Sequence, residues 1–118
     1  CEALVICARA DATNDKLIDG AVLDATGPRG VVVNISRGSI LDEDALIQRL
    51  KTNRLGGAAL DVFEVEPTPA ARWAEVPNVV VTPHIGGNTR GAIPAMVGLA
   101  LENVRAFLAG KPLPTPVP

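Results

Sequence analysis

Apolar residues in this chain come in short runs, and polar, glycine- or proline-marked breaks separate them. Ala3–Ala8 is a compact apolar stretch that predicts a buried strand. Asn14 or Asp15 then stands where a cap is needed for a helix carrying Leu17, Ile18, Ala21, Val22 and Leu23. Gly27 and Pro28 close that helix, because proline cannot extend it. Val31–Ile35 is β-branched and apolar on both faces, the pattern of a central parallel strand. Asp42 is placed to cap a helix whose apolar side is Leu46, Ile47 and Leu50. Gly57–Asp61 predicts a third strand of small residues, and Val79–Thr82 a fourth. Between them, Glu64–Pro77 reads as a proline-containing loop with one turn near Trp73. From Asn88 or Thr89 to Leu108, the stripe Ile93, Met96, Val97, Ala100, Leu101, Val104 and Leu108 predicts a long amphipathic helix. Gly110 and Pro112 stop it, and the proline-rich tail Lys111–Pro118 is expected to be extended.

Strands alternating with helices give an α/β fold with a doubly wound parallel sheet and right-handed crossovers. One expected part is missing. No G-x-G-x-x-G occurs, so no turn brings backbone amides onto a pyrophosphate between a first strand and a first helix. The chain therefore reads as the second half of a Rossmann-type sheet, with the glycine-rich half upstream. It also starts at Cys1 and runs almost at once into an apolar strand, as a piece of a longer polypeptide would. A piece without the glycine-rich turn is expected to show no turnover alone.

Composition narrows the class further. The chain has 118 residues and a formal net charge of −2, with no Lys/Arg block to suit nucleic acid. Although 47% of residues are hydrophobic, no run is long enough for a bilayer, and no signal peptide is visible. Cys1 and Cys7 match no metal spacing and no disulfide framework, which suits a reducing cytoplasm.

Reactive side chains cluster just past the predicted strand ends, where open α/β sheets bind ligands. Asn34, Ser36 and Arg37 follow the second strand. Asp61 ends the third, with Glu64 and Glu66 soon after. Pro83 and His84, the single histidine, follow the fourth, ahead of Gly86 and Gly87. Arg37 suits a bidentate clamp on a carboxylate, and equally a surface ion pair. Glu66 beside His84 would fix the ring's tautomer and favour its protonated form, as a general acid needs; either residue has a plain structural role open to it as well. Asp61 is a turn residue or a holder of a carboxamide.

Three blocks make a combined pattern. They are Asn34-Ile-Ser-Arg-Gly-Ser-Ile-Leu-Asp42-Glu43, Gly57-Ala-Ala-Leu-Asp61-Val-Phe-Glu-Val-Glu66-Pro67 and Asn78-Val-Val-Val-Thr-Pro-His84-Ile-Gly-Gly87. In order and spacing they resemble the D-isomer-specific 2-hydroxyacid dehydrogenases over nearly the whole chain. The resemblance implies a catalytic set of Arg37, which binds the substrate carboxylate, Glu66, which pairs with the histidine, and His84, the acid/base. It implies cofactor contacts at Cys7, Ala8, Thr13, Ile35, Ser36, Arg37, Asp61, His84, Gly86 and Gly87, with Asp61 on the nicotinamide carboxamide. The cofactor implied is NAD or NADP, and the substrate a small 2-keto or 2-hydroxy acid. The wording around Gly27–Gly30 and Leu113–Val117 leans towards the glyoxylate/hydroxypyruvate reductase branch. Two departures fall on the adenosine side: Ile6-Cys7-Ala8 replaces a His-x-Pro pattern, and Thr13–Leu17 is one residue longer than usual.

The resemblance also divides the chain. Residues 1–88 would be the latter part of the NAD(P)-binding domain, and residues 89–118 a helix and tail returning to a substrate domain, in an enzyme that is a cytoplasmic homodimer. Nucleic acid and membrane are not expected partners. The main alternative is a non-catalytic NAD-sensing interaction module of the corepressor-like branch, against which an intact Arg37, Glu66 and His84 set speaks. A receiver- or flavodoxin-like domain would need an early acidic cluster that is absent from this sequence.

Overall fold

The computed structural model describes residues 1–117. They form two units, Cys1–Ile85 and a second from Gly86 onward. The two compact units meet after Ile85, so Gly86 and Gly87 belong to the second unit.

In the first unit, β1 (Ala3–Ile6), α1 (Gly20–Thr26), β2 (Val31–Asn34), α2 (Glu43–Lys51), β3 (Gly57–Leu60), the one-turn α3 (Ala70–Trp73) and β4 (Val79–Val81) follow in order. A 3₁₀ turn at Gly38–Ile40 precedes α2. The strands are all parallel and lie side by side in chain order, β1-β2-β3-β4, as one wing of a doubly wound sheet does. Each strand stops before its predicted end, at Ile6, Asn34, Leu60 and Val81.

One face of the sheet carries the core. Ile6, Val32, Ala58 and Leu60 pack with Leu23 of α1 and with Leu46 and Leu50 of α2. The opposite face is a row of Val5, Val33, Ala59 and Val80 in register, with Val5 and Val80 exposed. Cover on both faces, expected for β2 and for a buried β1, is therefore not what the first unit provides. In β1 only Ile6 is buried. Truncating a fully buried leucine removes its transfer free energy and leaves a cavity. Leu46→Ala should destabilise the protein by about 2–5 kcal/mol in urea unfolding, whereas Val80→Thr on the exposed row should stay within about 0.5 kcal/mol.

The helix α1 starts later than its sequence suggests. Asp19, not Asn14 or Asp15, is the cap, accepting from the Ala21 and Val22 amides at 2.9 and 3.0 Å. The earlier polar residues bond among themselves: Asp11 accepts from the Thr13 amide and hydroxyl, and Asn14 donates to the Arg9 carbonyl at 2.7 Å. Such side chain to backbone bonds compete with helix formation. The strand-like segment that follows pairs Ile18 with Leu41. The α2 cap is the predicted one, with Asp42 accepting from the Ala45 amide at 2.9 Å.

The second unit contains α4 (Ala92–Leu108), which begins at Ala92 with its amide on the Thr89 hydroxyl rather than at Asn88 or Thr89. None of the described α4 residues is buried, and Ile93, Met96, Val97, Leu101, Val104 and Leu108 are all exposed. Gly110, at φ 63°, ends the helix, and the Lys111 amide caps the Ala106 carbonyl at 2.9 Å. The tail is not simply extended: Asn103 reaches Thr115 by two hydrogen bonds. No helix among the described residues is long and apolar enough to cross a membrane.

Candidate active site

Parallel register aligns the strand ends. Ile6, Asn34, Leu60 and Val81 form one row across the sheet, so Cys7, Ile35, Asp61 and Thr82 leave it along one edge. Every polar residue singled out in the first unit follows one of these exits.

At the end of β2, Asn34 is fully buried and organises what comes next. Its amide nitrogen donates to the Arg37 carbonyl at 3.0 Å, and its side-chain oxygen accepts from the Ser36 amide at 3.1 Å. The Ser36 hydroxyl donates to the Ala8 carbonyl, which ties the exits of β1 and β2 together. The Arg37 guanidinium donates one bond to the Ser36 carbonyl at 2.7 Å; a guanidinium has four further N–H donors. Gly38 comes next because nothing larger fits: a Cβ there would lie 1.9 Å from the Phe63 carbonyl carbon and 2.3 Å from the Glu64 nitrogen. This close backbone contact places the Arg37 segment against the loop that carries Glu66.

The exits of β3 and β4 are joined through Asp61. Its carboxylate accepts from the Thr82 hydroxyl and from the Ile85 amide at 3.0 Å. Between those two anchors the chain turns sharply: the His84 amide donates to the Thr82 carbonyl at 2.9 Å, and His84 sits at φ 51°, in the left-handed region. That turn directs the imidazole towards Glu66. Nδ1 of His84 lies 2.6 Å from Oε2 of Glu66, while Oε1 of Glu66 accepts from the Phe63 amide at 3.0 Å. The Glu66 carboxyl is held below its ordinary value by the His84 bond first and the Phe63 amide second; partial desolvation opposes this, and the His84 and Arg37 charges add the smallest contributions. Glu66 is therefore a carboxylate at neutral pH. With Nδ1 committed to it, Nε2 is the ring position left for a ligand. The pair is about half exposed and borders a cavity of about 380 Å3 with Phe63, Pro67, Thr68 and Pro83.

Glu64 turns elsewhere. It pairs with Lys16 at 3.1 Å, so the histidine's partner is Glu66. Cys7 and Ala8 are exposed and, with Arg9, Ala10, Ser36 and Arg37, line a second cavity of about 390 Å3. Ile35 is exposed beside them. Thr13 lines neither cavity, and its amide and hydroxyl are both bonded to Asp11. Gly86 and Gly87 open the second unit. The structure thus joins Glu66 directly to His84 and sets Asp61 behind the histidine turn, while Arg37 lines the second cavity and its charge is the smallest of the influences that lower the Glu66 carboxyl. Thr82 and Gly38, which build these links, lie within the sequence blocks but are marked there only as ordinary turn residues.

Residues 1–86 match the family described as D-isomer specific 2-hydroxyacid dehydrogenase, NAD binding domain. Hydroxyphenylpyruvate reductase of Plectranthus scutellarioides is 46% identical over 101 residues, which is 86% of this chain and 32% of that protein. Glyoxylate/hydroxypyruvate reductase A of Arabidopsis thaliana has the same identity and the same two coverages. In structure, the NADPH-dependent glyoxylate/hydroxypyruvate reductase of Sinorhizobium meliloti, in complex with NADP and malonate, gives a TM-score of 0.93 at 35% identity, over 98% of this chain and 36% of that one. The chain spans about a third of the length of the curated relatives it matches.

Proposed function

The chain belongs to the D-isomer specific 2-hydroxyacid dehydrogenase family, and on that premise we propose that its complete polypeptide reversibly interconverts a small 2-keto acid and the D-2-hydroxy acid, with NADH or NADPH as reductant in one direction and NAD+ or NADP+ as oxidant in the other. Glyoxylate and hydroxypyruvate are the favoured substrates, after the relatives named for them. One observation supports this reading above all: the 2.6 Å Glu66–His84 contact at the strand edge.

The residues present fit a nicotinamide dinucleotide. Exposed Cys7, Ala8 and Ile35 give a largely apolar strip along the strand exits, suited to flat rings, and Asp61 at its far end is a carboxylate that suits an amide donor. When bound, the nicotinamide supplies or accepts the hydride. The protein's part is orientation and proton management. The Arg37 guanidinium holds the substrate carboxylate by paired charge-assisted bonds and draws electron density from the adjoining carbonyl. Protonated His84 donates from Nε2 to the keto oxygen, and Glu66 at Nδ1 keeps the tautomer and offsets the imidazolium charge. In the oxidative direction His84 takes the hydroxyl proton by the same route. Fixing these groups on strand exits holds the reacting geometry before substrate arrives.

A panel of 2-keto acids, assayed with NADH and with NADPH on the complete polypeptide, tests the reading. Consumption of reduced cofactor with glyoxylate or hydroxypyruvate is the expected result. Cofactor binding without turnover of any keto acid would assign the chain to the NAD-sensing alternative instead.

A further inference from the structure

Glu43, in the first turn of α2, is 2% exposed and has no part in the chemistry described above. Burying a carboxylate is costly unless both oxygens are used. Here both are. Oε1 accepts from the Glu64 amide at 2.7 Å, and Oε2 accepts from Nε of Arg72 at 2.9 Å. The first of these bonds spans 21 positions of sequence and reaches the loop that carries Glu66. The same peptide unit, Phe63–Glu64, also lies against Gly38, which has no room for a Cβ. That peptide is therefore held by both the residue after Arg37 and the Glu43 carboxylate. The neighbouring Phe63 amide donates to Glu66, which bonds His84.

We infer that Glu43 is a positioning residue for the Glu66–His84 pair, acting through the Phe63–Glu64 peptide rather than by touching the substrate. The role in turnover rests on the dehydrogenase reading above; the clamp itself does not. Without the Glu43 acceptor the Glu64 amide must find another partner, the Phe63–Glu64 peptide shifts, and through the Phe63 Cα it displaces the adjoining Val62–Phe63 peptide, whose amide donates to Glu66. Glu66 then loses one of the two bonds that hold its carboxylate against His84. Small misplacements of this kind cost up to about 10²-fold in rate.

The test uses Glu43→Ala, Glu43→Gln and Arg72→Ala in the complete polypeptide. Glu43→Ala should lower kcat by about 10–100-fold while the KM for keto acid changes far less. Glu43→Gln keeps an oxygen for the Glu64 amide and should restore most of kcat. Arg72→Ala removes the ion pair but leaves that amide bond, so it should lower the melting temperature with kcat preserved. A second readout needs no turnover. The carboxyl titration of Glu66, followed by carbon NMR and assigned with Glu66→Gln, should move up in Glu43→Ala and stay in place in Glu43→Gln. A folded Glu43→Ala with wild-type kcat and an unmoved Glu66 titration would overturn the inference. So would a Gln variant as impaired as the Ala variant. If Glu43→Ala does not fold, loss of kcat in Glu43→Gln, or in Arg72→Ala, decides against it in the same way. If the wild-type protein turns over no keto acid but the Glu66 titration still moves, the clamp stands and the reaction assigned to the site falls.

Discussion

Replacing His84 with alanine is expected to lower kcat for keto-acid reduction by about 10²–10⁴-fold, the usual loss when a positioned acid/base group is removed. Cofactor affinity should change little, because on the proposed reading it is the backbone around His84, with the Cys7, Ala8 and Ile35 exits, that meets the dinucleotide, and the substitution removes only the imidazole. Glu64→Ala is the internal control. Glu64 pairs with Lys16 and not with the imidazole, so its loss should leave kcat close to wild type. Steady-state kinetics on both variants checks the pair. Equal losses would mean that the acid serving His84 has been misidentified.

The second large effect is expected at Arg37. A hydrogen bond to a charged group contributes about 1.5–3 kcal/mol, so Arg37→Ala should lower kcat/KM for the keto acid by roughly 10–150-fold. Arg37→Lys keeps the charge but loses the planar fork, and should fall between wild type and alanine. Isothermal titration of the cofactor should show nearly unchanged affinity in both, because the cofactor contact expected at Arg37 is made by its backbone and not by the guanidinium. A variant that weakens cofactor binding while sparing kcat/KM would instead place Arg37 on the dinucleotide. The Glu66 carboxyl offers a further mark, since the Arg37 charge helps to hold it low and its titration should rise in Arg37→Ala.

Much of this site is legible from residue order because parallel strands translate it directly into space. Apolar runs ending in Asn34, Asp61 and Thr82 exit at one edge whatever lies between them, so Arg37, Glu66 and His84 could be assigned to a common region before any coordinates. Local chemistry was readable where one candidate stood alone, as at the Asp42 cap. It was ambiguous where several residues compete. Asn14, Asp15 and Asp19 are all good caps, and the Asp11 and Asn14 side-chain bonds together with the pairing of Ile18 with Leu41 delay α1 to the last of them. Long-range polar links were the least readable. A glutamate in a first helical turn is expected to face solvent and favour the helix dipole, so nothing in the sequence marks Glu43 as buried against Glu64. Burial of β1 and of the outer face of β2 was overestimated for a related reason: apolar character says that a face can be covered, not that its cover lies within the same unit.

The left-handed backbone at His84 bears on how a substrate complex could be trapped. Asparagine is among the few side chains that share histidine's tolerance of that conformation. His84→Asn would remove the proton relay yet let the turn between Thr82 and Ile85 keep its course, so crystals soaked with keto acid and reduced cofactor should retain both unreacted. A β-branched residue would instead invite the turn to relax, and the vacated space would no longer report where the substrate sits.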